Sequence, residues 1–334
     1  MSNQKKSIFH RYSGAAILLG LLLAVFLLGL RLGSAQLTAR EFWRGLTGQD
    51  PTARLILWEL RLPRLLGGLL AGAGLALSGT LLQQVTGNAL AGPNIIGVNA
   101  GAGFAAILTL WLLPKQAAFL PFFAFLGAVG ALLLILSLAQ KVRGSKTSVI
   151  LAGIAVSALL NAAISFISYA DPDLLASYNY FSVGGLSGVQ NQDLLFPALL
   201  ILAAFLFALL FAKQIDLLCL GDALAASLGA RIKATRILCL LLAGASAAAA
   251  VSFAGLLGFI GLIVPHIARR MAGSNLRLRL MESALLGGIL LIAADLLGRL
   301  IIAPSELPVG IITALLGAPF FLYLLCRKEH RYDL

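Results

Sequence analysis

Acidic, imidazole and thiol groups are scarce in this chain. Of 334 residues only 13 are Asp or Glu, three are His and three are Cys, and charged residues make up 11%. The few that exist avoid the apolar runs. Asp295 and Glu282 lie towards run ends, His10 and His330 are in the tails, and His266 stands alone beside Pro265, where it reads as a satisfied polar group at a helix break. Ionisable groups held in lipid are costly and persist for function. Their shortage argues against a membrane-embedded enzyme or a proton-coupled carrier, and no metal cluster, nucleophile constellation or catalytic residue can be assembled. Cys219, Cys239 and Cys326 are odd in number and widely spaced, so free thiols are expected rather than a disulfide framework. A nucleotide site is missing as well. The nearest string, Gly144-Ser145-Lys146-Thr147, lacks the glycine before Lys and the spacing of a phosphate-cradling loop. Any ATP is handled by another chain.

What is present is apolar surface: 60% of residues are hydrophobic and the mean hydropathy is +0.97. One water-soluble core cannot hide that much, so lipid is most of the solvent. A backbone in about 30 Å of hydrocarbon must satisfy its own hydrogen bonds, which takes roughly 20 residues of helix. Eight runs of that length are read: Ala15 to Leu32, Leu62 to Leu82, Ile95 to Leu113, Ala117 to Ala139, Thr147 to Tyr169, Leu194 to Ala212, Ser283 to Ala303 and Pro308 to Cys326. The run from Ile237 to Ala268 is 32 residues without a charge, and Pro265 sits near its end. It reads as one full span to about Gly258 and a short helix re-entering near Gly261. The expectation is an all-α polytopic membrane protein of ten spans, forming one transmembrane domain over residues 1–334.

Charge supports an even count. Lys5, Lys6 and Arg11 at one terminus, and Arg327, Lys328 and Arg331 at the other, should share the cytoplasmic side. Ten spans place 17 of the 25 Lys and Arg inside, together with five of the 13 acidic residues, so the whole net charge of +12 is topological. That disposes of a nucleic-acid reading of the pI near 10.1, since no basic domain carries it. The basic-then-apolar start imitates a signal peptide, but its apolar run is too long, and an uncleaved first span is expected.

Two regions look like copies. Arg64, Leu70-Ala71-Gly72 and Pro93 match Arg236, Leu242-Ala243-Gly244 and Pro265 at one constant offset of 172 residues. These fall on spans two and seven, so the copies would cross the membrane in opposite directions, as in many transporters. The inverted repeat pairs spans 2–5 (about 61–169) with spans 7–10 (about 237–326). Between them, about 213–236, lies an amphiphilic stretch too polar to span, expected at the cytoplasmic surface. Gly221 and Gly229 bracket about two helical turns there, and Leu224 and Leu228 have the i, i+4 spacing that fits a partner's groove. A surface helix without a partner is the alternative.

Several strings together resemble one family: Arg61-Leu62-Pro63-Arg64, Ala76-Leu77-Ser78-Gly79 to Gln83, Asn88 to Pro93 with Gly97-Val98, Leu151-Ala152-Gly153, Gly221-Asp222 to Leu228-Gly229, Gly258 to His266, Ala294-Asp295 to Arg299, and Glu306 to Gly310 with Gly317-Ala318-Pro319. They are similar, nearly end to end, to the membrane permeases of type II ABC importers, the FecCD-type family that takes up ferric siderophores, haem and cobalamin. The resemblance implies a pathway between two permease subunits, identical or paralogous. It also implies two cytoplasmic ATPase subunits that use ATP and Mg, an extracytoplasmic substrate-binding protein, and a place in the bacterial cytoplasmic membrane. No cofactor is expected on this chain.

By the same resemblance, Gly221, Asp222, Leu224, Ala225, Leu228 and Gly229 couple to the ATPases. Arg61, Arg64 and Arg299 match positions that hold acidic residues of the binding protein through charge-assisted hydrogen bonds. On physics alone Arg61 and Arg64 also suit snorkelling anchors, and Arg299 a pair with Asp295 one turn earlier. The cytoplasmic gate falls at Lys146 and Thr147. Lys146 departs from the small polar residue expected at a constriction, which points it to the headgroups and leaves Thr147 nearer the path. Ferric siderophore is the leading cargo, haem or cobalamin the alternative, and an ion-coupled secondary transporter the reading from another class.

Overall fold

The computed structural model describes residues 2–35, 37–141, 146–229, 231–273 and 275–329, with side chains described between 14 and 326 except at 117, 146, 223 and 325. Every regular element among them is helical. In chain order they are α1 (Ser2–Arg31), α2 (Ala39–Leu46), α3 (Pro51–Leu55), α4 (Leu62–Thr86), α5 (Val98–Leu112), α6 (Leu120–Lys141), α7 (Lys146–Ala170), α8 (Leu174–Val183), α9 (Asn191–Leu210), α10 (Ala212–Leu217), α11 (Asp222–Ser227), α12 (Ile232–Ala254), α13 (Ile260–Ala272), α14 (Leu276–Ile301) and α15 (Val309–Glu329). A π-helical turn over Ile56–Arg61 joins α3 to α4 without a break.

Among the described residues, seven helical segments are long and apolar enough to cross a bilayer, including a continuous one over Pro51–Thr86, and Val98–Leu112 and Val309–Leu324 are shorter apolar helices. The long charge-free run divides near the expected place: α12 ends at Ala254, Gly255 takes φ +74°, and α13 starts at Ile260 after Phe259 at φ +65°. The helices α2, α3, α8 and α10 have no counterpart in the hydropathy reading. Local chemistry makes two of them: Thr38 and Glu41 form a reciprocal capping box on α2, and Asp50 caps α3 with Pro51 at its first position.

The helices differ in depth. In the segment ending in α4, 78% of the apolar window is buried within the chain, against 11% for α1 and 22% for α7, so α4 is central and α1 and α7 are peripheral. Around α4 pack α14, α12, α13 and α9. Lipid tails are as apolar as leucine, so close helix packing has to come from backbone approach at small residues. A Cβ on Gly72 would collide with the carbonyl of Gly287, and one on Gly79 with the carbonyl of Gly261. By contrast, nothing lies within 4 Å of a Cβ added to Gly20. Gly79→Leu should therefore lower the thermal unfolding temperature in detergent, on the scale of overpacking, about 1–3 kcal/mol or more, while Gly20→Leu should leave it unchanged. Equal melting of the two would show that the α4 to α13 contact is not held as described.

Candidate functional site

Two polar clusters lie at opposite ends of α4 and α14. At the end where α4 begins, Asp295 is enclosed by two guanidinium groups. Arg64 Nε donates to both carboxylate oxygens at 2.9 Å and its Nη2 to Oδ1 at 2.8 Å, while Arg299 Nε lies 3.1 Å from Oδ2. Arg64 Nη1 also donates to Glu306 Oε2 at 2.6 Å, and Ser34 Oγ donates to Glu306 Oε1 at 2.7 Å. Arg61 turns to the end of α1, donating to the carbonyls of Leu30 at 2.6 Å, Arg31 at 2.8 Å and Ala35, and Arg299 Nη1 reaches that of Leu32 at 3.4 Å. These carbonyls have no partner within their own helix, and cations suit a helix C-terminus.

The structure brings Arg61, Arg64 and Arg299 together and turns them into the bundle, rather than outward as the docking role implied by the resemblance would have them: Arg61 is 4% exposed and Arg299 2%. The Arg299 to Asp295 pair inferred from i, i+4 spacing is present and shared with Arg64. Three cations against two carboxylates leave the cluster itself with one net positive charge.

The opposite end carries the surface helix. Gly221 at φ +89° starts α11 and Gly229 at φ +80° follows its end. Asp222 anchors it, accepting from Arg236 of α12 at 2.8 and 2.9 Å. The six residues named for coupling separate by direction: Ala225 is fully buried, whereas Leu224 and Leu228 are more than half exposed, side by side. Behind them is a cluster that sequence reading missed. Gln84 of α4 donates to Asp216 of α10 at 3.0 Å and accepts from Arg279 of α14 at 2.9 Å, with Gln84 and Arg279 both buried. The only hint in the sequence is that Gln84 and Arg279 are polar residues at the ends of apolar runs.

Thr147 lies exposed in the first turn of α7, and the Lys146 side chain and residues 142–145 are outside the described set. His266 packs edge-on to Phe320, ring centroids 6.0 Å apart, consistent with a packed polar group beside Pro265. Among the described residues no three His, Cys, Asp or Glu side chains gather as metal ligands.

With this geometry in hand, comparison with known proteins is decisive. Residues 21–327 match the FecCD transport family. The chain belongs to that family. It is 38% identical to the Fe(3+)-citrate import system permease protein YfmE of Bacillus subtilis over 312 residues, covering 92% of this chain and 93% of that one. It is 37% identical to the hemin transport system permease protein HmuU of Yersinia pestis, covering 94% and 97%, and 37% identical to the vitamin B12 import system permease protein BtuC of Vibrio cholerae, covering 94% and 93%. A solved inward-facing conformation of an ABC transporter assigned to the metal-chelate type superposes with a TM-score of 0.84 at 30% identity, covering 94% of this FecCD chain and 98% of that one. PsaBC from Streptococcus pneumoniae shares the fold at a TM-score of 0.57 and 20% identity.

The arginine cluster makes two measurable statements about this FecCD chain. Arg64→Ala leaves Asp295 to Arg299 alone and removes its three hydrogen bonds from Arg64, and should destabilise by about 1–3 kcal/mol, read as a fall in melting temperature in detergent. Glu306 has its own pH signature. Burial pushes its carboxyl up, but the hydrogen bonds from Arg64 and Ser34 and the Arg64 charge outweigh that and hold it below its ordinary 4.5. A lowered carboxyl contributes stability above its unfolded value and loses it as pH falls through the folded one. Glu306→Gln should therefore melt below wild type at neutral pH, with the gap closing as pH drops under about 4.5. A gap constant with pH would show that the carboxylate charge is not what Arg64 holds.

Proposed function

We propose that this chain is the permease subunit of an ATP-driven metal-chelate importer in a bacterial cytoplasmic membrane, with both termini on the cytoplasmic side. The seven long spans, the two shorter apolar helices and α13 make ten crossings, arranged as an inverted repeat of spans 2–5 and 7–10. Two permease subunits, identical or paralogous, form the path, two ATPase subunits bind ATP and Mg, and an extracytoplasmic binding protein delivers the cargo. This chain needs no cofactor of its own. Its bulky-chelate cargo follows from relatives named for ferric citrate, hemin and vitamin B12. Ferric siderophore or a related iron chelate is the leading reading, haem or cobalamin the alternative.

The single observation that supports this reading most is the surface helix α11. Leu224 and Leu228 are apolar, exposed and adjacent on a helix held from behind by Asp222 and Arg236, which is how an apolar knob is kept ready for a partner's groove. At the other end, the net positive charge of the arginine cluster suits acidic groups on a binding protein. Arg61, Arg64 and Arg299 then act chiefly by fixing the surface that docks. For the path, α7 supports a weakly binding wall: Ala155, Ala158 and Ala162 are exposed along it with Asn161 and Ser165. Thr147 and Lys146 sit where the gate closes.

Co-expression with neighbouring ATPase subunits and purification through a tag on this chain tests the coupling assignment. The wild type should retain the ATPase, and Gly221→Arg and Leu224→Asp should lose it. With the binding protein added to reconstituted complexes, ferric siderophore should stimulate ATP hydrolysis and enter the vesicle. Retention of the ATPase by both variants would overturn the role of α11, and uptake driven by an ion gradient without ATP would replace the importer by a secondary transporter.

A further inference from the structure

A cleft separate from both clusters opens between the ends of α6, α7 and α12. It has a volume of about 280 Å³ and is lined by Leu136, Ala139, Gln140, Val149, Lys233, Arg236, Ile237 and Leu240. Its polarity is graded along the helices. Lys233 and Arg236 fall in the opening turns of α12, and Gln140 is next to last in α6. Ile237 and Leu240 come after the cations in α12, and Leu136 precedes Gln140 by one turn of α6, so the apolar lining lies deeper than the polar mouth. One cation is at the surface and one is fixed: Lys233 is exposed, while Arg236 is buried and held by Asp222 at 2.8 Å.

A cationic mouth over an apolar floor at a membrane boundary is complementary to an amphiphile with an anionic head. We propose that this cleft binds an anionic phospholipid of the adjacent leaflet, its phosphate on Lys233 and Arg236 and the start of one acyl chain on Leu136, Ile237 and Leu240. The volume is near the lower bound of about 300 Å³ for ligand sites, enough for the phosphate and the first methylenes, with the rest of the lipid in the bilayer. A guanidinium has five N–H donors and can serve a carboxylate and a phosphate together. The phosphate would then share Arg236 with Asp222, the first residue of α11, so that lipid occupancy bears on the helix assigned to coupling. That consequence, and the choice of the cytoplasmic leaflet, rest on the function proposed above; the lipid site itself does not.

Native mass spectrometry of the purified full-length chain, with whatever partners co-purify, tests it using equimolar phosphatidylglycerol and phosphatidylcholine and inorganic phosphate as competitor. Phosphatidylglycerol should be retained in preference. Lys233→Gln, at an exposed position that folding does not depend on, should weaken retention about fivefold, the scale of one basic residue beside an anionic surface. Ile237→Trp should abolish it by filling the floor without altering charge. Equal retention of the two lipids, or wild-type retention by Lys233→Gln, would overturn the site. Full displacement by inorganic phosphate, with Ile237→Trp unchanged, would reduce it to an anion site and overturn the lipid reading.

Discussion

The contact between α4 and α14 at Gly72 and Gly287 is the constraint from which the rest of the bundle follows. Hydrophobic burial does not distinguish a neighbouring helix from a lipid tail, so these two helices meet closely only because neither carries a side chain at the crossing. Close approach there sets the register at both ends. Arg64 comes beside Asp295 at one end and Gln84 beside Arg279 at the other. Twenty residues of α4 separate Arg64 from Gln84, about 30 Å at the helical rise, the thickness of the hydrocarbon layer. The pair is therefore stapled near both membrane boundaries, and sliding one helix along the other would break polar contacts in two places at once.

Buried charge is tolerated here by sharing. Asp295 is coordinated by two arginines, Arg64 spends its donors on two carboxylates, and Arg61 and Arg299 use main-chain oxygens that the end of α1 leaves unpaired. Such an arrangement gains little net stability over an apolar core, because desolvation offsets most of the attraction. What it supplies is a fixed geometry for four separate segments: the end of α1, the start of α4, the end of α14 and the loop carrying Glu306.

Much of this was legible in the sequence. Runs of twenty apolar residues announce helices in lipid, and the excess length of the charge-free run from Ile237 to Ala268 called for a break near Gly258, although the break is made by Gly255 and Phe259 at positive φ while Gly261 and Pro265 lie within α13. Gly221 and Gly229 framed the surface helix because their backbone preferences act locally. Side-chain direction was not legible. Arg61 and Arg64 at the start of a span look the same on paper whether they face water, headgroups or the bundle. The Gln84 cluster joins residues 132 and 195 positions apart, beyond any local pattern. The short helices α2, α8 and α10 fall below the length that hydropathy detects, and α8 packs against α5, a contact no local pattern announces.

The π-helical turn over Ile56–Arg61 admits one more residue per turn than the α-helix it interrupts, without breaking the rod from Pro51 to Thr86. Each residue of an α-helix turns the chain by about 100°. Removing one residue from this turn would restore an α-helical turn and leave both α4 with its contacts and the side on which α2, α3 and the exposed Trp43 sit in place. The turn thus works as slack at the entry to the membrane rod, holding one residue beyond the α-helical count while the segments on either side keep their register.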